Sequence, residues 1–304
     1  MQLWNQQSGD YETVCRIINQ IVNTYPFFQC SSYGKSLCGR NLLMLSYTGK
    51  IEPNRQRILF AGAFHGMEWI TTLILLHFVQ RLCAAAHRNK PLQGKDAQKA
   101  LEHSGLVIVP CVNPDGVEIQ INGAQSAGTY ADLVQKISKG DTIHWQSNAR
   151  GVDINHNFNA YWHKLRAMEI CDGINGPAMT RFGGMYPQSE PESKYLVTLT
   201  EKYQFRCVLA FHSQGEEIYY GFDDYVPPES HKIAQKLANA SGYLLSKPEG
   251  LASYGGYKDW FICRFRRPGF TIEIGKGTNP LSISQFDEIY EKIEPMLIEA
   301  LYSC

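Results

Sequence analysis

His65 and Glu68 stand three residues apart in the segment Phe64-His65-Gly66-Met67-Glu68-Trp69. Both residue types bind Zn²⁺, through an imidazole nitrogen or a carboxylate oxygen, at about 2.0 to 2.2 Å. An apolar run at 58–63 precedes them and another at 69–79 follows, so the pattern predicts a buried strand, a turn carrying the two side chains, and a buried helix. By itself the pair reads equally as a capping glutamate and a satisfied histidine, because His-x-x-Glu arises readily by chance. Two further residues raise the metal reading. His212 closes an apolar run at 205–211, and Glu273 is an acid inside the apolar run 270–274. A His, Glu, His set leaves the fourth position of zinc to water, as in a catalytic site. Spacing alone does not show that these residues meet.

The elements that must position them can be read along the chain. Asp10 can cap a helix whose apolar positions Val14, Ile17, Ile18, Ile21 and Val22 share one face, with Pro26 closing it. Two strand-like runs follow at 27–30 and 41–47, bracketed by turn signals. After the 69–79 helix come a polar insertion at 87–104, a strand at 106–110 ending in the turn Asn113-Pro114-Asp115-Gly116, and a short helix at 131–139. Residues 151–159 are too polar for a core strand and too poor in turn residues for a plain loop, which marks them as a site candidate. The Gly- and Pro-containing stretch 171–188 predicts an irregular loop of the kind that shapes an active-site rim. Ser189-Glu190-Pro191-Glu192 predicts a helix start with Ser189 as cap. Helices at 228–241 and 282–301 flank a Gly-rich loop at 251–257 and the strand at 270–274. Alternating helices and apolar strands predict one α/β domain over 1–304, its sheet covered on both faces and its ligand crevice at the carboxyl ends of the strands.

Composition narrows the partners. The 304 residues are 44% apolar, enough for a sizeable core, and 29 basic residues balance 29 acidic ones. No basic stripe is present, so neither nucleic acid nor an anionic membrane surface is favoured. The longest apolar stretch, 70–79, falls short of the roughly 18 residues of a membrane span, and a soluble protein is expected. The first ten residues lack the basic and apolar segments of a secretion signal, so the expected compartment is the cytoplasm, a trimmed exported form being the alternative. Nine cysteines are an odd number, and no Cys-x-x-Cys occurs. Cys15, Cys83, Cys111, Cys207 and Cys263, within predicted elements and among apolar neighbours, are expected to be reduced core thiols.

Taken together, the chain resembles the zinc carboxypeptidases. The match runs from about Tyr11 to the end through His65-Gly66-Met67-Glu68, Asn113-Pro114-Asp115-Gly116, Gly151-Val152-Asp153-Ile154-Asn155, Ser189-Glu190-Pro191-Glu192, Phe211-His212-Ser213 and Phe270-Thr271-Ile272-Glu273, all in family order. The resemblance implies a single α/β domain with a mixed, mostly parallel eight-stranded sheet and helices on both faces. It implies one Zn²⁺ held by His65, Glu68 and His212, with Glu273 as the catalytic carboxylate and Arg150, five residues before Asn155, steadying the oxyanion.

One departure bears on substrate. Where carboxypeptidases carry Asn-Arg to grip a terminal carboxylate, this chain has Asn155-His156, and histidine cannot make the planar two-pronged grip of a guanidinium. Asn155-His156-Asn157-Phe158, with the segment 211–219, looks like the subgroup that cuts γ-D-glutamyl-L-diamino-acid bonds in bacterial cell-wall peptides. Lys258 aligns with the residue at the floor of the family's specificity pocket, where it would favour the distal carboxylate of diaminopimelate; a solvated lysine at a helix start is the alternative. The family's substrate-binding tyrosine aligns with Leu251, leaving Tyr254 or Tyr257 as substitutes. The expected function is hydrolysis of γ-D-glutamyl-meso-diaminopimelate bonds by a zinc metallopeptidase acting on small cell-wall peptides. An ordinary metallocarboxypeptidase is the rival enzyme, and an inactive peptide-binding module the rival outside catalysis.

Overall fold

The computed structural model describes residues 4–53 and 56–304; the first three residues of the N-terminal segment considered above lie outside it. In chain order, helix α1 (Tyr11–Thr24) precedes strands β1 (Phe28–Lys35), β2 (Asn41–Tyr47) and β3 (Ile58–Ala61). Helix α2 (Ile70–His87), the short hairpin β4 (Pro91–Leu92) and β5 (Lys95–Asp96), helix α3 (Ala97–Ser104) and strand β6 (Val107–Val109) follow. Helices α4 (Pro114–Asn122), α5 (Ala131–Ser138), α6 (Trp162–Cys171) and α7 (Pro191–Tyr203) lead to β7 (Cys207–Ser213) and β8 (Glu217–Tyr219). The chain finishes with α8 (Ser230–Ser241), β9 (Leu244–Ser246), α9 (Tyr257–Phe265), β10 (Gly269–Ile274) and α10 (Phe286–Ser303).

Eight strands form one mixed sheet in the order β1-β2-β6-β3-β7-β10-β8-β9. Its centre, β6-β3-β7-β10, is parallel, as is the β8–β9 pair. Side chains alternate across a strand, and both faces are covered. Phe60, Leu209, Phe211 and Ile272 enter one core with α1, α2, α8 and α10, while Leu59, Ala61, Val208 and Ala210 enter a second with α7 and α9. Burial on both faces explains why the central strands read as continuous apolar runs.

Most expected elements are present with shifted ends. Asp10 caps α1 by accepting from the Thr13 N–H. The helix expected over 69–79 begins at Ile70 and extends to His87; Gly66–His87 is long and apolar enough to cross a bilayer by composition, yet most of it is buried inside the fold, which marks a core helix. The polar insertion 87–104 holds the β4–β5 hairpin and α3, whose N-cap is Asp96. Asn113-Pro114-Asp115-Gly116 opens α4 rather than forming an isolated turn, with Asn113 accepting from the Gly116 N–H and Pro114 in the first turn. The cap of α7 is Glu190, not Ser189, and its side chain makes no capping bond. All nine cysteines are free; Cys83, Cys111 and Cys207 are buried as expected, but Cys263 lies on the exposed face of α9.

Candidate metal centre and substrate cavity

Beyond β3 the chain turns sharply. Ala63 sits in the left-handed region (φ 47), its N–H donating to Thr71 Oγ1 at 2.8 Å while that hydroxyl donates to the Glu68 carbonyl at 2.7 Å. Asn113 braces the same turn by donating from Nδ2 to the carbonyls of Phe64 (3.2 Å) and Gln146 (3.1 Å). Gly66 lies against the start of α4 so closely that a Cβ there would fall 2.3 Å from the Gly116 carbonyl oxygen. The glycine is required by this approach, and the Asn113 motif acts as a brace for the histidine–glutamate turn.

This turn brings His65 and Glu68 to His212, at the carboxyl end of β7: their ligand atoms all lie within 4.8 Å of one another. His65 Nδ1 is 2.8 Å from one Glu68 oxygen and His212 Nδ1 is 3.1 Å from the other. Behind His65, Asp153 Oδ1 stands 3.1 Å from Nε2. A carboxylate there requires Nε2 to carry the proton, so in the neutral ring Nδ1 is a lone pair facing another acceptor. Two acceptors this close need positive charge between them. His65, Glu68 and His212 would hold a metal ion that supplies it, and two imidazoles with one carboxylate is a set suited to zinc with an open position. The donors therefore fit the metal that the sequence suggests.

Electrostatics agrees. Burial opposes ionisation of Glu68, but His65 and His212 hold its carboxyl down at about 2. Burial likewise opposes charge on His65, yet Glu68 and Asp153 raise its pKa well above the ordinary value. Burial lowers the pKa of His212, partly offset by Glu68. Glu273 is also present: β10 pairs in parallel with β7 so that Glu273 lies directly opposite His212. It makes no hydrogen bond to any described residue. Burial, then the Glu68 charge, lifts its pKa well above the usual carboxylate range.

These side chains open on a cavity of about 430 Å³, also lined by Asn155, His156, Lys258 and Asp259. Asn155 Oδ1 accepts from the Tyr257 N–H at 3.0 Å, which fixes it beside the start of α9. His156 is buried, with Nδ1 2.9 Å from both Glu169 Oε1 and the Arg181 carbonyl oxygen. Lys258 is 3% exposed, so it is no solvated surface lysine. Its ammonium donates to the Gly221 carbonyl at 2.7 Å and forms an ion pair with Asp259.

Arg150 is the expected site residue that does not come to this group. The Asn148 side chain holds its backbone by accepting from the N–H groups of Arg150 and Val152, and Arg150 Nε lies 3.7 Å from Glu190, away from the cavity lining. Tyr254 stacks beneath the Lys164 ammonium outside the cavity, and Tyr257 is buried with its hydroxyl on Thr200. The tyrosine that does line the cavity is Tyr219, on β8, whose hydroxyl donates to Glu217 at 2.8 Å. Gln146, Arg181 and Asp259 line it too and were not singled out by sequence. Asp259 could have been found from its place next to Lys258; Arg181 lies in the 171–188 loop expected at the active-site rim, but nothing in that aperiodic loop singled out the residue itself.

A profile described as zinc carboxypeptidase matches residues 14–295. A γ-D-glutamyl-L-diamino acid endopeptidase of Lysinibacillus sphaericus is 36% identical over 299 residues, covering 98% of this chain and 73% of that protein. An uncharacterised protein of Bacillus subtilis is 33% identical over 303 residues, covering 98% of this chain and 79% of its own length. Among solved structures, bovine thrombin-activatable fibrinolysis inhibitor in complex with tick carboxypeptidase inhibitor superposes with a TM-score of 0.74 at 17% identity, covering 99% of this chain and 98% of that one. The murein-tripeptide amidase of Escherichia coli O157 superposes with a TM-score of 0.55 at 21% identity, covering 89% and 91%. Both structural likenesses establish the fold.

Proposed function

Because the chain belongs to the zinc carboxypeptidase family and is a metallopeptidase, we propose that it hydrolyses γ-D-glutamyl-meso-diaminopimelate bonds in small bacterial cell-wall peptides. Its ligands in this reading are His65, Glu68 and His212, with Asp153 orienting His65. Bound zinc would supply Lewis acidity, polarising the scissile carbonyl and making water a nucleophile at neutral pH. Glu273, half-buried, without a hydrogen bond to any described residue and beside His212, takes a proton from the attacking water. It then gives that proton to the departing amine as the carbon–nitrogen bond breaks, leaving a glutamyl carboxylate and a free diamino acid. Arg150, turned toward Glu190, is left out of this scheme.

The observation that carries the substrate reading is the buried Lys258–Asp259 pair on the cavity wall. A lysine alone would ask for a carboxylate. A lysine paired with an aspartate presents both signs, and the distal end of meso-diaminopimelate presents a carboxylate and an ammonium on one carbon. Lys258 donates one N–H to Gly221 and is ion-paired with Asp259, and an ammonium has three N–H groups, so donor capacity remains for a substrate carboxylate. The name of the Lysinibacillus sphaericus relative supports the same bond type. The test is incubation of the zinc-loaded protein with L-Ala-γ-D-Glu-meso-diaminopimelate and with the matching L-lysine peptide. Faster cleavage of the former at the γ-glutamyl bond is expected; removal of ordinary α-linked C-terminal residues with no γ-glutamyl cleavage would make it a general carboxypeptidase.

A further inference from the structure

We infer that Arg181 supplies the carboxylate-gripping guanidinium that this chain lacks next to Asn155, and that His156, which stands in the vacated position, is the residue that positions it. The inference rests on the peptidase reading above and concerns a residue that reading does not use.

Three observations converge. First, Arg181 lines the catalytic cavity with an exposed side chain, and its guanidinium makes no hydrogen bond or ion pair with any described residue. The other basic side chains named on the cavity wall are engaged: Lys258 with Asp259, His65 with Glu68 and Asp153, His212 with Glu68, and His156 with Glu169. Second, both backbone polar groups of Arg181 are tied to the site. Its N–H donates to Asp153 Oδ2 at 2.9 Å, and its carbonyl lies 2.9 Å from His156 Nδ1. Asp153 is the same carboxylate that orients His65, so the guanidinium and a metal ligand hang from one side chain. Third, Arg181 is held at φ 68, in the left-handed region that side-chain-bearing residues seldom enter. Such conformations persist where surrounding bonds over-determine them, and they concentrate at ligand clamps.

His156 then has a different task from the arginine it replaces. Its ring is buried, and Glu169, fully buried and paired with Arg166, holds the same nitrogen from the other side. The imidazole is committed to the loop rather than to substrate, and what it delivers is Arg181. A planar guanidinium matches a carboxylate with two parallel hydrogen bonds, which neither imidazole nor ammonium can do. Two substrate carboxylates qualify: the α-carboxylate of the D-glutamyl residue and the L-centre carboxylate of the diamino acid.

The test uses the zinc-loaded full chain and γ-D-Glu-meso-diaminopimelate, together with analogues amidated at one or the other carboxylate. Arg181→Asn is the first variant, because Asn tolerates the left-handed backbone. Its kcat/KM on the free peptide should fall about 10- to 100-fold, chiefly through KM. Arg181→Lys should recover part of the loss, and His156→Phe should raise KM in the same direction with zinc content unchanged. Amidation of the gripped carboxylate should cost the parent enzyme a similar factor and cost Arg181→Asn little more, which identifies the partner. The inference is overturned if Arg181→Asn keeps the parent's KM and carboxylate preference. It is also overturned if kcat falls equally on all three peptides with KM unchanged, the signature of a group acting only on the transition state. If the parent cleaves none of these peptides, the proposed function fails instead. Arg181 is then judged on an N-acyl dipeptide with free or amidated C-terminus, where the same loss of preference supports it and an unchanged preference overturns it.

Discussion

Glu273 and His212 face each other in register across the parallel strands β10 and β7. A metal ligand and the proton-transfer carboxylate are thus spaced by the sheet itself, about one interstrand distance apart, roughly 4.8 Å. Because a one-residue slip of either strand would turn its own side chain to the opposite face and separate the two, ligand and base are kept together by the same ladder that holds the core. Replacing Glu273 should therefore leave the fold and metal in place.

Glu273→Gln is expected to bind zinc in the parent's stoichiometry and to lose on the order of 10² to 10⁴ in turnover, because an amide cannot take the proton from water. Elemental analysis alongside steady-state rates checks this. Near-normal turnover would assign the base to another group.

His212→Ala should bind substantially less than one zinc per chain, measured after dialysis against metal-buffered solution, since only two protein ligands remain. Equal zinc content in variant and parent would show that the ion sits elsewhere.

The sequence carried the metal side chains well for a physical reason. His65, Glu68, His212 and Glu273 lie in or next to buried strands, where uninterrupted apolar runs reveal both the strand and its end. Short elements were less visible: β8 and β9 have three residues each, too few to show a period. Asn113-Pro114-Asp115-Gly116 was ambiguous because the residues that favour a turn also favour the first turn of a helix, and only tertiary contacts decide. Arg150 is placed by the Asn148 side chain and Glu190, and Arg181 by bonds to Asp153 and His156, 28 and 25 residues distant. Long-range bonds of this kind leave no pattern in a single chain. Lys258 was legible as a position, but its ion pair with Asp259 emerged only in three dimensions.

Lys258→Ala should erase most of a preference for diaminopimelate over lysine peptides that is expected to be about 10- to 100-fold in kcat/KM. Specificity constants for the two peptides, with zinc content as control, decide the matter. A variant that retains the full preference would leave Lys258 as a structural partner of Asp259.

A buried acid behind the site gives a pH signature independent of the metal. Burial, then the neighbouring charges of Asp115 and Glu190, raises Glu192 to about 8. The folded state thus keeps a proton that the unfolded chain releases near its ordinary value of 4.5. The stability this group contributes is fully present below that value and is lost as pH rises through the folded pKa, at up to about 1.4 kcal/mol per pH unit. Glu192→Gln should remove that decline, so parent and variant unfolding curves should separate between pH 5 and 8, with the variant relatively more stable at the upper end. Parallel curves in urea titrations across this range would mean that Glu192 ionises normally.

The bond that is cut is most directly tested by mass analysis of L-Ala-γ-D-Glu-meso-diaminopimelate after incubation with the zinc-loaded protein. The expected products are L-Ala-D-Glu and free diaminopimelate, absent when zinc is removed and restored when it is returned. An intact peptide, in the presence of a protein that releases α-linked C-terminal residues from other peptides, would contradict γ-D-glutamyl specificity.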